Sequence, residues 1–210
     1  MSQYFEMHPG SPSPKDVALI VDSLQDGAVI AYPTDSGYAL GCAIGLPRPL
    51  KRISKIRDLD DKHNFTLICQ DLSEISRYAQ VSNSEYRLLK KLTPGGYTFI
   101  LPATHEVPKL ILAAHRKTIG IRVPDCQIAL DISKALGQPL LSTTLILPGQ
   151  SAPLVYAEDV IEAVGNMVDV VIDGGYCGFD PTTVVDCTVM PYEILREGSG
   201  DISYFSKALT

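Results

Sequence analysis

Three short runs of hydroxyl side chains stand where predicted strands of the chain begin or end. They are Thr34-Asp35-Ser36, Ser142-Thr143-Thr144 and Thr182-Thr183. Loops at strand ends carry many of the ligand contacts of α/β sheets, and hydroxyl groups there can hydrogen-bond a small polar substrate. The alternative is that each hydroxyl only caps a turn. Together with the cations described next, the three runs favour a binding site.

Four cations near these runs could bind an anion. Arg122 lies within an apolar predicted strand, residues 119–123, where an unpaired charge is costly. It therefore requires a partner, either an internal carboxylate or a bound anion. Arg196 closes another apolar run. Lys55 and Arg57 are two residues apart and share no helix face, but at a helix end their long side chains could converge on one anion; the alternative is a solvated face.

Alternating helix and strand patterns surround these residues. Ser13-Pro14 predicts the N-cap and first position of a helix that Gly27 ends, and the apolar run 28–32 predicts a buried strand. Further helices are predicted at 48–57, 72–79, 84–92, 107–114, 127–136 and 157–166, and further strands at 65–69, 97–101, 119–123, 140–147, 168–172, 184–186 and 193–196. We expect an irregular N-terminal leader over residues 1–12 and one α/β domain over residues 13–205, with a mixed sheet flanked by helices.

The composition excludes several classes of protein. The chain has 210 residues, of which 45% are apolar and 20% charged, and this is typical of a globular protein and not of a disordered or fibrous one. No apolar stretch approaches the ~20 residues of a transmembrane helix, and the N-terminus does not resemble a signal peptide. Five scattered cysteines indicate a reducing compartment, the cytoplasm. The four histidines lack metal-binding spacing, so we expect no metal held by the protein.

The net charge of −6 is unevenly distributed along the chain. Residues 48–122 contain 14 basic and 7 acidic residues and carry +7, whereas residues 1–47 carry −4 and residues 123–210 carry −9. A basic surface of this kind attracts anionic ligands, although a chance segregation would look the same. The phosphate-binding loops of P-loop and dinucleotide-binding proteins are absent, so any nucleotide must be bound by another route.

The same residues carry a family likeness. Residues 32–42, Tyr-Pro-Thr-Asp-Ser-Gly-Tyr-Ala-Leu-Gly-Cys, resemble the first signature of the YrdC superfamily. Further matches follow in the family's order at residues 55–57, 93–101, 120–124, 139–144, 181–186 and 195–198. Within the superfamily the chain is similar to the YciO branch. This resemblance implies a twisted sheet and a concave, basic cavity.

The resemblance also implies an activity, that of an L-threonylcarbamoyladenylate synthase. Such an enzyme joins L-threonine, bicarbonate and ATP, releases pyrophosphate, and supplies an intermediate for the t6A modification of tRNA. Mg²⁺ would enter with ATP as part of the substrate. The family's binding of tRNA and double-stranded RNA makes both expected partners, and no membrane partner is expected.

Residue by residue, the resemblance assigns roles to ten side chains. Lys55 and Arg57 match a pair that faces the triphosphate and are the candidate catalytic residues. The candidate threonine-binding residues are Thr34, Arg122, Thr144 and Thr182, and the candidate nucleotide-binding residues are Lys55, Arg57, Asn64, Thr118, Ser142 and Arg196.

Several positions depart from the family pattern, and residues 36–39, Ser-Gly-Tyr-Ala, alter the first motif. Ile146 replaces an asparagine that touches the nucleotide and cannot hydrogen-bond through its side chain, and Cys69 replaces a histidine near the substrate. No histidine lies in the matched motifs, so the sequence indicates no general base. These departures leave two alternatives open: an RNA-binding or ribosome-associated protein without the activity, and an adenylating enzyme for a different small acid.

Overall fold

Ten strands of the chain form one mixed sheet, as seen in a computed structural model that describes residues 2–60, 63–112 and 117–206. The strands are β1 (Gln3–Glu6), β2 (Ile30–Thr34), β3 (Gly37–Ala43), β4 (Thr66–Ile68), β5 (Tyr97–Pro102), β6 (Thr118–Arg122), β7 (Leu140–Thr144), β8 (Val170–Asp173), β9 (Thr183–Asp186) and β10 (Glu193–Arg196). Their order across the sheet is β1-β8-β2-β3-β7-β4-β6-β5-β9-β10. Parallel and antiparallel pairs alternate irregularly, so the predicted mixed α/β sheet is confirmed.

Seven α-helices within the described ranges flank this sheet. They are α1 (Pro14–Gln25), α2 (Pro47–Arg57), α3 (Leu72–Tyr78), α4 (Asn83–Leu92), α5 (Gln127–Leu136), α6 (Ala157–Val164) and α7 (Ser203–Ser206). Successive strand residues point to opposite faces, and the buried side chains accordingly divide into two clusters. Helices α1 and α5 cover one face against Ile30 and Tyr32, whereas α2 covers the other against Leu40. None of the helices in the described ranges has the length and apolar character that a transmembrane helix requires.

Local capping explains where α1 begins and where α2 ends. The Ser13 hydroxyl accepts a hydrogen bond from the Asp16 N–H, and Pro14 is the first residue of α1, as predicted. Helix α2 ends at Asp58, which adopts the left-handed conformation with φ 52°. Lys55 and Arg57 therefore lie in the last turn of α2, where the helix dipole favours positive charge.

Three sequence predictions differ from the structure. The leader predicted as irregular over residues 1–12 contains β1, because the edge of β8 offers it a parallel partner. The helix predicted over residues 107–114 is a 3-10 turn at Lys109–Ile111, and residues 113 and 114 lie outside the described ranges. The strand predicted over 140–147 ends at Thr144, because its partner β3 begins at Gly37, whose φ of 103° turns the chain away.

Candidate functional site

A cavity of about 400 Å³ lies over one face of the sheet, where β4, β5, β6 and β7 are neighbours. Hydroxyl, amide and imidazole groups form one part of the wall: Thr34, His63, Asn64, Thr66, Thr98, Thr118, Ser142, Thr143, Thr144 and Thr182. The cations at the wall are Arg57, Arg122 and Arg196. The apolar part consists mainly of Ala39, Phe65, Ile68, Ile100, Ile111, Ile119, Ile146, Val184 and Leu195. The cavity can therefore take a ligand that is anionic at some points and apolar at others.

Strand β4 holds the polar residues of the floor in register. Thr66 is paired with Gly120 of β6 on one side and with Ser142 of β7 on the other. A Cβ atom at Gly120 would lie 3.2 Å from Thr66 Oγ1 and 3.5 Å from Thr98 Cγ2. The glycine therefore leaves open a space that any side chain would crowd.

The first run of hydroxyl residues forms a tight turn between β2 and β3. The buried Thr34 hydroxyl donates a 2.6 Å hydrogen bond to the Gly37 carbonyl and accepts one of 3.1 Å from the Ser36 N–H. Gly37 has φ 103°, a conformation that side chains with a Cβ rarely adopt. The Thr34 hydroxyl thus holds the turn that presents Asp35 and Ser36 to Arg122.

Arg122 finds its partners in this turn. Its guanidinium forms an ion pair with the Asp35 carboxylate and donates a 2.8 Å hydrogen bond to Ser36 Oγ. Of the two partners that the sequence allows, the internal carboxylate is thus present. The Nε–H of Arg122 is buried and has no hydrogen-bond partner in the described part of the chain, so one donor of the guanidinium stays unsatisfied.

Thr182, in the third run of hydroxyl residues, binds the side chain of Arg196. Arg196 Nε donates to the Thr182 carbonyl and its Nη2 to Thr182 Oγ1, each at 2.9 Å. Thr182 Oγ1 also lies 2.8 Å from Thr98 Oγ1. Gly198 permits this close approach, because a Cβ atom there would lie 2.1 Å from the Pro181 carbonyl oxygen. Burial lowers the pKa of Arg196, and the charge of Arg122 lowers it further. Both arginines line the cavity.

The structure separates the two cations predicted as catalytic. Arg57 lines the cavity, and its buried Nε–H lacks a partner among the described residues. Burial lowers the pKa of the Arg57 guanidinium. Lys55 is exposed and is not among the described residues of the cavity wall. This agrees with the helix geometry, in which residues two apart point in different directions.

The remaining predicted residues also reach the cavity wall. Asn64, Thr118 and Thr144 line it, and so does Ser142, whose hydroxyl lies 2.6 Å from the buried Tyr32 hydroxyl. Nine of the ten predicted side chains therefore meet at one cavity, the exception being Lys55. Their roles there stay predictions.

His63 lines the same cavity, although the sequence motifs did not indicate it. Its Nε2 lies 3.1 Å from Thr143 Oγ1, and its ring makes an edge contact with Phe65. It stands in an irregular segment before β4 with no characteristic spacing. The only signal in the sequence was its place six residues after Arg57, in the loop next to the predicted nucleotide contact Asn64.

The sequence of this chain is similar to those of a known protein family. The Sua5/YciO/YrdC family model, described as "Telomere recombination", matches residues 22–198. An uncharacterized protein of Haemophilus influenzae is 52% identical, with 98% of this chain and 100% of the relative covered. The protein YciO of Escherichia coli K12 is 49% identical, again with 98% and 100% covered. A threonylcarbamoyl-AMP synthase of Vibrio campbellii is 27% identical, with 88% and 100% covered.

Solved structures agree with these relationships. The crystal structure of E. coli YciO superposes with a TM-score of 0.94 at 49% identity and covers 98% of this chain and 100% of that one. P. abyssi Sua5, crystallised in complex with L-threonine, superposes with a TM-score of 0.90 at 22% identity. That match covers 99% of this chain and 61% of Sua5, and it shows a common fold.

Proposed function

Because the chain belongs to the Sua5/YciO/YrdC family, we propose that it is an L-threonylcarbamoyladenylate synthase-like nucleotidyltransferase. The reaction joins L-threonine, bicarbonate and ATP and releases pyrophosphate. One observation carries the proposal: three arginines from α2, β6 and β10 meet at one cavity together with a row of hydroxyl groups. The relatives at 27% identity that are named threonylcarbamoyl-AMP synthases support it, as does the L-threonine complex of P. abyssi Sua5.

The electrostatics of the cavity suit the reactants. A carbamate formed from threonine and bicarbonate is an anion, and its oxygen must attack the α-phosphate of ATP, a second anion. Fixed cations offset this repulsion and stabilise the charge that grows on pyrophosphate. The described residues hold no group of three or more His, Cys, Asp or Glu that could bind a metal. In the proposed reaction Mg²⁺ enters bound to the triphosphate, where it would supply further neutralisation.

Within this proposal the arginines divide the work. The free Nε–H of Arg122 is the donor for the threonine carboxylate, while Asp35 and Ser36 bind the terminal nitrogens Nη2 and Nη1 of the same guanidinium. Arg57 and Arg196 face the phosphates. Holding both reactants in one cavity makes the attack effectively unimolecular, and such positioning is a large part of catalysis. The apolar wall, which includes Ile146, packs against parts of the ligand that need no hydrogen bond.

Product formation tests this proposal directly. We expect the purified protein to release pyrophosphate and form threonylcarbamoyl-AMP when it has ATP, Mg²⁺, L-threonine and bicarbonate, and to form neither product when threonine is omitted. Pyrophosphate is measured by a coupled assay and the adenylate by mass spectrometry. No product above the no-enzyme background at any Mg²⁺ concentration would contradict the proposal. Product with another small acid but not with threonine would replace the substrate.

A second candidate function is RNA binding, and one surface favours it. Lys51 and Lys55 lie four residues apart on the exposed side of α2, and no ion pair with a described residue neutralises either. Cations on one face bind phosphate backbones irrespective of sequence. The neighbouring Arg52 is different, because it is paired with Asp169 at 2.5 Å.

Salt dependence tests this candidate. If Lys51 and Lys55 each contact a phosphate, replacing both by glutamine lowers the slope of log affinity against log salt by about 2. The measurement is fluorescence anisotropy with labelled double-stranded RNA and tRNA between low and physiological salt. An unchanged slope in the double variant would exclude this surface as the RNA contact. Lys134→Gln, on α5, is the matched control.

A further inference from the structure

His63 occupies a position from which it can act on a ligand of the cavity. It is half-buried, lines the same wall as Arg57, and lies between the end of α2 and strand β7. The edge contact with Phe65, at 5.1 Å between ring centres and 85° between planes, fixes the orientation of the ring. Its location is therefore that of a wall residue with a defined rotamer and not of a solvated loop residue.

The partner of His63 suits both protonation states of the imidazole. Thr143 Oγ1 lies 3.1 Å from His63 Nε2. A hydroxyl group donates to a neutral ring nitrogen and accepts from a protonated one, so this hydrogen bond survives a change in charge. The ring can thus gain a proton without losing its position.

The charges around His63 keep it neutral while the cavity holds no anion. Burial lowers its pKa, the positive charge of Arg57 on α2 lowers it further, and Asp60 in the following loop raises it. These are the charged groups of the described residues that act on the ring. Phe65, just before β4, and Thr143 of β7 also face it, and neither titrates near neutral pH. An anion bound beside Arg57 would reverse the balance, because it offsets the arginine and attracts a proton.

We propose that His63 is a proton-dependent partner of Arg57 in binding a phosphate-bearing ligand, and that it takes up one proton from the solvent when that ligand binds. The inference rests on the proposed function for the class of ligand, a polyphosphate, but not on the adenylation step. The geometry assigns His63 a role in binding: it supplies a positive charge that exists only while the anion is present. A permanently charged side chain at this position would instead keep a second positive charge beside Arg57 in the free protein.

The sign of the pH dependence follows from linkage. Binding raises the pKa of His63, so the bound form holds more protons than the free form between the two pKa values. Affinity for the anion therefore increases as pH falls through the pKa of the bound form, and it levels off below that of the free form. A rise of one pKa unit corresponds to about a tenfold gain in affinity.

Binding of inorganic pyrophosphate is the test, with titration calorimetry between pH 5.5 and 8 on the wild type, His63→Gln and His105→Gln. Glutamine retains a donor for Thr143 but cannot titrate, and His105 is an exposed control whose imidazole is 92% accessible. We expect the wild type and His105→Gln to bind about tenfold more tightly at pH 5.5 than at pH 8, relative to His63→Gln. The titration of pyrophosphate itself is common to all three proteins and cancels in the comparison.

Proton NMR of the histidine rings gives a second measurement that needs no variant to bind. The His63 signal, assigned by its absence in His63→Gln, should titrate at higher pH in the pyrophosphate-saturated protein. An unchanged titration, equal pH profiles in the wild type and His63→Gln, or no binding of pyrophosphate at any pH would overturn the inference. Binding with proton uptake but no threonylcarbamoyl-AMP would instead contradict only the proposed function.

Discussion

Replacing Arg122 by glutamine is expected to lower the free energy of unfolding by about 3 kcal/mol, because the change leaves the Asp35 carboxylate without its cation. The two side chains are only 7% and 18% exposed, so water cannot replace the lost partner fully. The variant also lacks the hydrogen bond that the Arg122 guanidinium donates to Ser36 Oγ. Urea denaturation followed by circular dichroism measures the change. A loss below about 1 kcal/mol, the value typical of a surface pair, would contradict the expectation.

A double-mutant cycle separates the ion pair from the other contacts of Arg122. Asp35→Asn retains an acceptor for the guanidinium and removes the charge, so its own cost should be smaller. In the double variant no unpaired charge remains, and we expect the combined loss to fall short of the sum of the single losses by more than about 1 kcal/mol. Additive losses would mean that the two groups do not interact. The pair Arg52–Asp169, with side chains 34% and 43% exposed, is the control and should show weaker coupling.

This pair also shows how far the sequence leads. A cation in an apolar strand has to find an acceptor, and that requirement could be inferred for Arg122 without a structure. Which acceptor it finds depends on the arrangement of distant segments. Asp35 follows β2, and three other strands separate β2 from β6 in the sheet, so no spacing along the chain relates the two residues.

Helices and strands were predictable where burial has a regular period. Helix α1 shows this best: Ser13 caps it and Val17, Ile20, Val21 and Leu24 form its buried stripe. Strand β2 is buried on both faces and was predicted from its continuous apolar run. Strand β3 was not predicted, because Gly37 and Gly41 interrupt its apolar residues and glycine is depleted in strands. Strand β1 was missed because it is a short edge strand whose partner, β8, pairs with it from 167 residues later, as Gln3 with Val170.

The candidate site was predictable at the residues that belong to motifs and not at those in irregular segments. Arg57 and Thr182 stand in matched motifs and lie at the cavity. His63 stands in a segment without regular secondary structure. Neither periodicity nor a motif predicts there which way a side chain points. Lys55 shares a motif with Arg57, but the helical rotation of 100° per residue points the two side chains apart.

At Arg57 we expect the reverse of the result at Arg122: substitution weakens ligand binding and does not lower the free energy of unfolding. The Arg57→Gln variant should bind ATP about tenfold to a hundredfold more weakly, because a hydrogen bond to a charged group contributes about 1.5–3 kcal/mol. The proposed pyrophosphate release should fall at least as much. Arg57→Lys retains the charge but not the planar fork of donors, so its affinity for ATP should lie between that of the wild type and that of Arg57→Gln. Titration calorimetry with ATP and the pyrophosphate assay provide the measurements.

The matched control is Arg87→Gln, an exposed arginine on α4, which should bind ATP as the wild type does. Lys55→Gln is informative in a different way. Because Lys55 is exposed and lies outside the described cavity wall, we expect it to weaken binding less than Arg57→Gln. An equal loss in the two variants would mean that the Lys55 side chain reaches the ligand and that the motif acts as a unit.

The stability of Arg57→Gln distinguishes a binding residue from a structural one. The buried Nε–H of Arg57 has no partner in the described structure, and a buried donor without an acceptor costs about 1–3 kcal/mol in the free protein. Glutamine removes this donor together with the half-buried charge, so the free energy of unfolding should stay constant or increase. A protein that keeps a destabilising side chain at a cavity wall gains from it only when a ligand supplies the acceptor. A clear loss of stability in Arg57→Gln would contradict that role and indicate that the Arg57 side chain stabilises the fold of the free protein.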